Sequence, residues 1–312
     1  MDIVLTHVDF ECEKWRNAYE YVLQTEYKPE LHTNDSATRT RFINHGELRY
    51  VLRSIAKNIP WIRNVYLVID DFMECPDGLS DLVIIVRHSK LYGDLASECL
   101  PTFNSQSIET LLHRIDGISD PFLYFNDDMF VGQPIHPADL IHDSKLAVFA
   151  TNIKSKRGIP KVTENGFRCA WKNVNRILDY EFGYMIRNKL HHSPYVISPR
   201  LMDQIWIIFR DQMNSTVRSK FRSITDVNVS PALHPYFAIH TDQGFISDLI
   251  RSETIYLFLA DQEGTRSKLE ELSKNLPHFF CLEDEDGEIE SDHMLREFLQ
   301  QTFPDPCRYE RS

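Results

Sequence analysis

Three short apolar runs in this chain each end abruptly in acid. They are DIVLTHVD (Asp2–Asp9), NVYLVIDD (Asn64–Asp71) and FLYFNDD (Phe122–Asp128). Apolar runs of this length read as buried strands. In an open α/β sheet, ligands sit beyond the carboxyl ends of the strands. Three strands delivering acids to one edge therefore predict a site there. For Asp70-Asp71 a strand-end turn is the simpler explanation, because Asp favours turns and caps. Asn126-Asp127-Asp128 differs, since Met129, Phe130 and Val131 return the chain at once to apolar surroundings. An unpaired acid pair there would be unfavourable, and a divalent cation, which seeks carboxylate oxygens, reverses that balance.

Between these runs lie helical patterns. Leu48, Val51, Leu52, Ile55, Ala56 and Ile59 follow the i, i+3, i+4, i+7 rule, with Asn44 or Gly46 near the start and Pro60 at the end. Strands are expected at Val65–Ile69, Leu82–Val86 and Phe122–Phe125. A second amphipathic helix is expected through Ile108, Leu111, Leu112 and Ile115, stopped by Gly117. This alternation reads as an α/β sheet with helices on its faces. The second half reads as more helical, with helices at Trp171–Phe182, Pro199–Met213, Arg266–Leu276 and Asp292–Thr302. Residues 152–165 read as a solvated basic loop, the alternative being a flap that touches phosphate. The acidic run Glu283–Glu290 reads as a solvated turn. The expected organisation is a core over 1–150, completed by a mainly helical part over 151–312 as one integrated unit.

A chain of 312 residues can bury a large core. Its formal charge of −12 argues against a nucleic-acid binder but not against a nucleotide ligand. The six cysteines form no C-x-x-C pair, so reduced thiols are expected rather than a zinc site. No apolar stretch is long enough for a transmembrane helix, and no signal peptide is visible. A full-length chain of this kind is expected in the cytoplasm, with peripheral association at the inner face of the membrane left open.

Several residues carry two readings. In HHSPY (His191–Tyr195), a histidine ahead of Ser-Pro either braces a turn or transfers protons, and spacing alone leans to the brace. Arg222 and Asp226, four apart in KFRSITDVN, form an ion pair on a helix or supply a guanidinium clamp for phosphate, and here too the simpler reading leads. Asn104, Ser105 and Ser107 open a helix, where they cap it or greet an anion.

Taken together, the segments resemble a known family. RFINHGELRYVLRSIAKNIPWIRNVYLVID, LPTFNSQSIETLLHRI and FLYFNDDMFVGQPI look like the second conserved region of Stealth proteins, sugar-1-phosphate transferases of microbial polysaccharide synthesis. DIVLTHVD resembles the first region, with His7 where family members usually have tryptophan. HHSPY through KFRSITD resembles the third, and FFCLEDE the fourth, with Glu283 where Asn is more common.

The resemblance implies a Rossmann-like (GT-A-like), mostly parallel sheet with flanking helices. It also implies a UDP-sugar donor, a glycan acceptor and Mg²⁺ or Mn²⁺. Sugar-1-phosphate would pass to an acceptor hydroxyl with release of UMP. The implied roles are residue-specific. Asp127 and Asp128 hold the metal, and Asp9 lies near the nucleotide or metal. His192 is the general base, Arg222 stabilises the transferred phosphoryl group, and Asp226 orients one of these two. Arg41, Arg49, Asn104 and Ser105 are donor contacts. Two alternatives remain at this level: a metal-dependent glycosyltransferase releasing UDP, and an inactive glycan-binding homologue.

Overall fold

The computed structural model describes residues 1–248, 252–257, 261–284 and 293–311. At its centre is a five-stranded sheet. Strands β1 (Ile3–Thr6), β2 (Val65–Ile69), β3 (Val83–Arg87) and β4 (Phe122–Asn126) lie parallel in the order β4-β1-β2-β3. The strand Tyr195–Ile197 adds to β4 as an antiparallel edge. Ile3 faces Val65 on one side and Leu123 on the other, which puts the ends of β1 and β4 side by side. Every residue of β2 is buried, as expected of a parallel strand covered on both faces. The expected mostly parallel α/β sheet with flanking helices is the one observed.

Helix α1 spans Glu13–Glu26 and helix α2 spans Glu47–Asn58. Leu48, Val51, Leu52 and Ile55 of α2 form the buried stripe that the periodicity predicts. The polar side of the same helix holds the chain beyond β4. Ser54 Oγ accepts from the Val131 amide at 3.1 Å, and Asn58 Nδ2 donates to the Val131 carbonyl at 2.6 Å. These bonds seat strand β5 (Met129–Val131), all buried, directly after the acid pair. β5 pairs antiparallel with Phe279–Asp284, which runs parallel to Ser252–Leu257. The return to apolar surroundings after Asp128 is thus a step from one sheet into another.

Helix α1 buries Trp15, Tyr19 and Val22 in a satellite cluster with Phe42, Phe103 and Phe221. Trp15 and Tyr19 stack at 5.5 Å. The main core is continuous across the two halves of the chain, joining Ile3 and Leu67 to Trp171, Phe237 and Leu299.

Three expected elements differ. The helix through Ile108–Ile115 is a short helix at Ser105–Glu109 followed by a 3₁₀ turn at Leu112–Arg114. Here the Thr110 hydroxyl bonds the Ser107 carbonyl, and the following amides reach back three residues rather than four. The helix expected over Pro199–Met213 breaks at Phe209 into Pro199–Ile208 and Arg210–Arg218. The basic loop begins as a strand, Ala150–Lys154, paired antiparallel with Asn188–Leu190. The other expected helices are present as Gly166–Phe182, Gln262–Lys274 and His293–Thr302. All six cysteines are free thiols. In the acidic run, residues 285–290 lie outside the described residues.

Candidate active site

A cavity of about 990 Å³ opens beyond the carboxyl ends of β1 and β4. The parallel register brings the residues that follow both strands to one rim. From β1 comes His7, and from the β4–β5 turn come Asn126, Asp127 and Asp128. His7 Nδ1 lies 2.5 Å from Asp127 Oδ2. Burial alone would lower the His7 pKa. The bonded Asp127 carboxylate, with Asp9 and Glu47 farther off, overrides it, and the net shift is upward. Asp127 therefore has a histidine partner supplied by the chain that leaves β1.

Asp128 points elsewhere. Its Oδ1 is buried without a hydrogen-bond partner. Burial pushes its pKa up to about 6; nearby His192 opposes this, and Asp127 and Glu283 add to it. Ligand atoms of Asp128, His192 and Cys281 all fall within 4.8 Å of one another. The Cys281 thiol is pushed well above its ordinary range by burial and by Asp128 and Glu283, so it is held protonated. That leaves carboxylate oxygens as the charged donors, a set suited to a hard divalent cation. The orphaned Asp128 oxygen fits such an ion.

His192 lies in the Pro-restricted loop before the edge strand Tyr195–Ile197. Asn126 Nδ2 donates to its Nε2 at 3.1 Å, and its Nδ1 meets Glu283 Oε1 at 2.5 Å. Burial lowers the imidazole pKa, but the Glu283 bond, with Asp128 and Glu109 nearby, carries it up to about 9. A doubly protonated ring would set its Nε2–H against the Asn126 amide hydrogens. The amide can turn to meet it, because Asn126 Oδ1 is bonded to the Tyr124 hydroxyl, itself paired with Thr6 Oγ1 at 3.0 Å, and hydroxyls reverse direction. Both charge states of His192 are therefore accommodated.

Two arginines complete the wall. Arg222 Nη1 donates to Asp35 Oδ2 at 3.2 Å and Nη2 to Ser105 Oγ at 3.3 Å, while Nε is buried without a partner. Arg41 donates to the Ser36 carbonyl and lies over the Phe42 ring. Burial, then Arg222, lowers its pKa to about 9. Phe42 and Phe221, neighbours of these arginines in sequence, are anchored in the aromatic cluster on α1. Gly166 packs so closely on the Arg222 stem that an added Cβ would meet Cδ at 2.6 Å.

Asp127, Asp128, His192, Arg222, Arg41 and Ser105 thus share one cavity. Four other expected residues lie off its wall. Asp9 accepts the Glu11 amide at 2.9 Å in the turn into α1. Arg49 is exposed and faces Glu310 at 3.6 Å, beside a smaller pocket that His7 also lines. Asn104 is the N-cap of Ser105–Glu109, and its Nδ2 donates to Asp226 at 2.8 Å. Asp226 is fully buried in a turn rather than on a helix, and it also accepts the Ser223 amide at 2.8 Å. It bonds neither Arg222 nor His192; it braces the turn that carries Arg222. Of the strand-end pair at β2, Asp71 takes the Ser89 amide at 2.8 Å as a cap, whereas Asp70 reaches the cavity wall. Glu283 and His7, noted in the sequence only as departures from a pattern, are the direct partners of His192 and Asp127. Their separations, 91 and 120 positions, left no local signal.

Residues 41–149 match the family model for Stealth protein conserved region 2, and 191–239 that for conserved region 3. The chain is 30% identical over 294 residues to the capsular polysaccharide phosphotransferase LcbA of Aeromonas hydrophila, covering 91% of this chain and 78% of that one. The chain belongs to the Stealth family. Within the matched regions of this Stealth chain lie Arg41, Ser105, Asp127, Asp128, His192 and Arg222, whereas His7 and Glu283 fall outside both. It is also 34% identical to the exopolysaccharide phosphotransferase SCO6023 of Streptomyces coelicolor over 319 residues, all of this chain and 52% of that one. SCO2594 of the same organism is 33% identical, with 51% of its length covered. The Stealth chain thus spans about half the length of these curated relatives. Among solved structures, an active-site mutant of LgtC is similar with a TM-score of 0.47 and 9% identity, over 98% of this chain and 97% of that one.

Proposed function

We propose that this Stealth chain transfers a hexose or N-acetylhexosamine 1-phosphate from a UDP-sugar to a hydroxyl of a glycan acceptor, releasing UMP, in the synthesis of a capsular or exopolysaccharide. The observation that carries this reading is the polarity of the cavity. Asp127, Asp128 and Glu283 line it together with the guanidiniums of Arg41 and Arg222, and His192 stands among the acids. That arrangement suits a pyrophosphate held between a cation-binding acid pair and two arginines. The names of the relatives, capsular and exopolysaccharide phosphotransferases, support transfer of a phosphorylated group.

Asp127 and Asp128 would hold Mg²⁺ or Mn²⁺, whose charge would neutralise the pyrophosphate oxygens. Arg222, fixed by Asp35 and Ser105 with its stem against Gly166, presents a preset guanidinium to the transferring phosphoryl group. His192, in the fraction of molecules deprotonated at Nε2, takes the acceptor proton as the acceptor oxygen bonds to phosphorus and the bond from phosphorus to the UMP oxygen breaks. Glu283 holds Nδ1–H and stabilises the imidazolium that results.

Chromatography of the released nucleotide tests the reading. UMP in step with acceptor consumption is expected. UDP would mean attack at the anomeric carbon and would turn the same cavity into that of a glycosyltransferase. Absence of turnover, with metal and UDP-sugar still bound, would point to a glycan-binding homologue.

A further inference from the structure

Residues 150–190 invert the charge of the chain around them. They carry nine lysines and arginines against three acids, in a chain of formal charge −12. Part of this charge is internal, since Arg157 and Arg187 are tied to Asp179, and Lys172 to Glu164. Lys154, Lys156 and Lys161 are exposed, and among the described residues no carboxylate pairs with them.

The same segment exposes large apolar side chains. Tyr180 is 92% and Ile159 82% exposed, and Tyr184, Ile153 and Ile186 are also largely in solvent. Leaving such surface in water forgoes about 25 cal/mol for each Å². The contacts draw these residues into one region of the surface. Ala150–Lys154 pairs with Asn188–Leu190, and Arg157 reaches from the first strand's extension to Asp179 and the Met185 carbonyl. Its guanidinium lies 4.5 Å over the Tyr184 ring, and Lys172 donates to the Ile159 carbonyl at 3.1 Å. The face borders the cavity, whose wall includes Thr151, Ile153 and Lys189.

We propose that this face docks the protein on an anionic phospholipid bilayer, with Ile159, Tyr180 and Tyr184 in the headgroup boundary and Lys154, Lys156 and Lys161 against the lipid charges. Lysines near an anionic leaflet attract it, and tyrosines settle at the interface, where one end of the ring is apolar and the other wet. Exposed isoleucines favour this over a soluble anionic glycan, because they gain from acyl chains and have no ring to lay on a sugar. No helix among the described residues is long and apolar enough to cross a membrane, so the contact is one of surface. The cavity would then open beside the bilayer, within reach of an acceptor carried there, whichever bond the site breaks.

Co-sedimentation of the whole chain with vesicles tests this. Binding to vesicles of equal parts phosphatidylcholine and phosphatidylglycerol is expected, with little binding to phosphatidylcholine alone and loss of binding as salt rises. Each lysine is worth roughly fivefold in affinity at such a surface. The Lys154→Glu/Lys156→Glu variant should therefore bind more than tenfold more weakly. Ile159→Ser/Tyr180→Ser, which leaves the charge unchanged, should also weaken binding. Both variants should keep the melting temperature and turnover of the parent. Equal vesicle binding by parent and variants would overturn the proposal. So would failure to bind the anionic vesicles while polyphosphate binds to the parent and not to Lys154→Glu/Lys156→Glu, an outcome that assigns the face to a soluble anionic polymer.

Discussion

Glu283 Oε1 lies 2.5 Å from His192 Nδ1, and this contact raises the proton affinity of the imidazole against the opposing effect of burial. It joins a loop before the edge of the central sheet to a strand of a different sheet. Asp128 is placed between the two sheets, since the Leu282 amide donates to its carbonyl at 3.3 Å.

Glu283→Gln removes the anion but keeps a hydrogen-bond acceptor. With Glu283 the imidazole pKa is carried up to about 9, and a general base works only above its pKa. The variant should shift the acidic limb of the kcat profile to lower pH. At neutral pH its effect is then a balance between more neutral imidazole and a less stabilised imidazolium. A limb that stays in place in a pH–rate profile would remove Glu283 from the imidazole's environment.

Asp128→Asn separates stability from turnover. The Asp128 pKa is raised by burial to about 6, so the stability of its protonated form is fully present below 3.8 and is lost as pH rises through 6. At pH 8, without added metal, Asp128→Asn should be more stable by about 1–2 kcal/mol in chemical denaturation. The same variant should lose metal-dependent turnover by at least about a hundredfold. A destabilised variant at pH 8 would show that the Asp128 carboxylate is stabilised rather than penalised in the metal-free protein.

Gly166→Ala tests how strictly Arg222 is positioned. The new methyl would meet Arg222 Cδ at 2.6 Å and Cβ at 3.0 Å. The stem must shift, and a small displacement of a charge-stabilising group is expensive in rate. A drop in kcat of about tenfold or more is expected, with far-UV circular dichroism unchanged. Unchanged kcat would mean that Arg222 does not act through a fixed geometry.

Asp226→Asn distinguishes a turn brace from a catalytic carboxylate. Burial pushes the Asp226 pKa up to about 7, with bonds from Ser219, Ser223 and Asn104 opposing. Its contribution to stability is present below 3.8 and lost as pH rises through 7. Unfolding measured from pH 4 to pH 8 should therefore fall less steeply in the variant than in the parent. Turnover should stay within about fivefold, because Asp226 touches Asn104 and Ser223 rather than Arg222 or His192. A loss beyond a hundredfold with an intact fold would return it to the chemistry.

Much of the frame was legible in the chain. Val65–Ile69 and the stripe on α2 came through because a continuous apolar run and 3.6-residue periodicity are local records of burial. The helix through Ile108–Ile115 misled for the same reason. Its apolar spacing is satisfied equally by a short helix and a 3₁₀ turn, and the side-chain bond from Thr110 to the Ser107 carbonyl accompanies the tighter turn. For Asn104 and Asp226 the sequence left two readings open, because a polar residue near a motif looks the same whether it faces the cavity or braces the turn behind it.

By itself, the sequence determined that acids would stand at strand ends, that Asn126-Asp127-Asp128 would be set in apolar surroundings, and that His192 and Arg222 were candidates for the chemistry. Only the tertiary structure decided their partners. His7 reaches Asp127 because β1 and β4 pair in parallel, and Glu283 reaches His192 because β5 pairs with Phe279–Asp284. Periodicity constrains a residue against neighbours a few positions away. Which charges meet across about a hundred positions is set by strand pairing and packing, and with it the proton affinities on which the site depends.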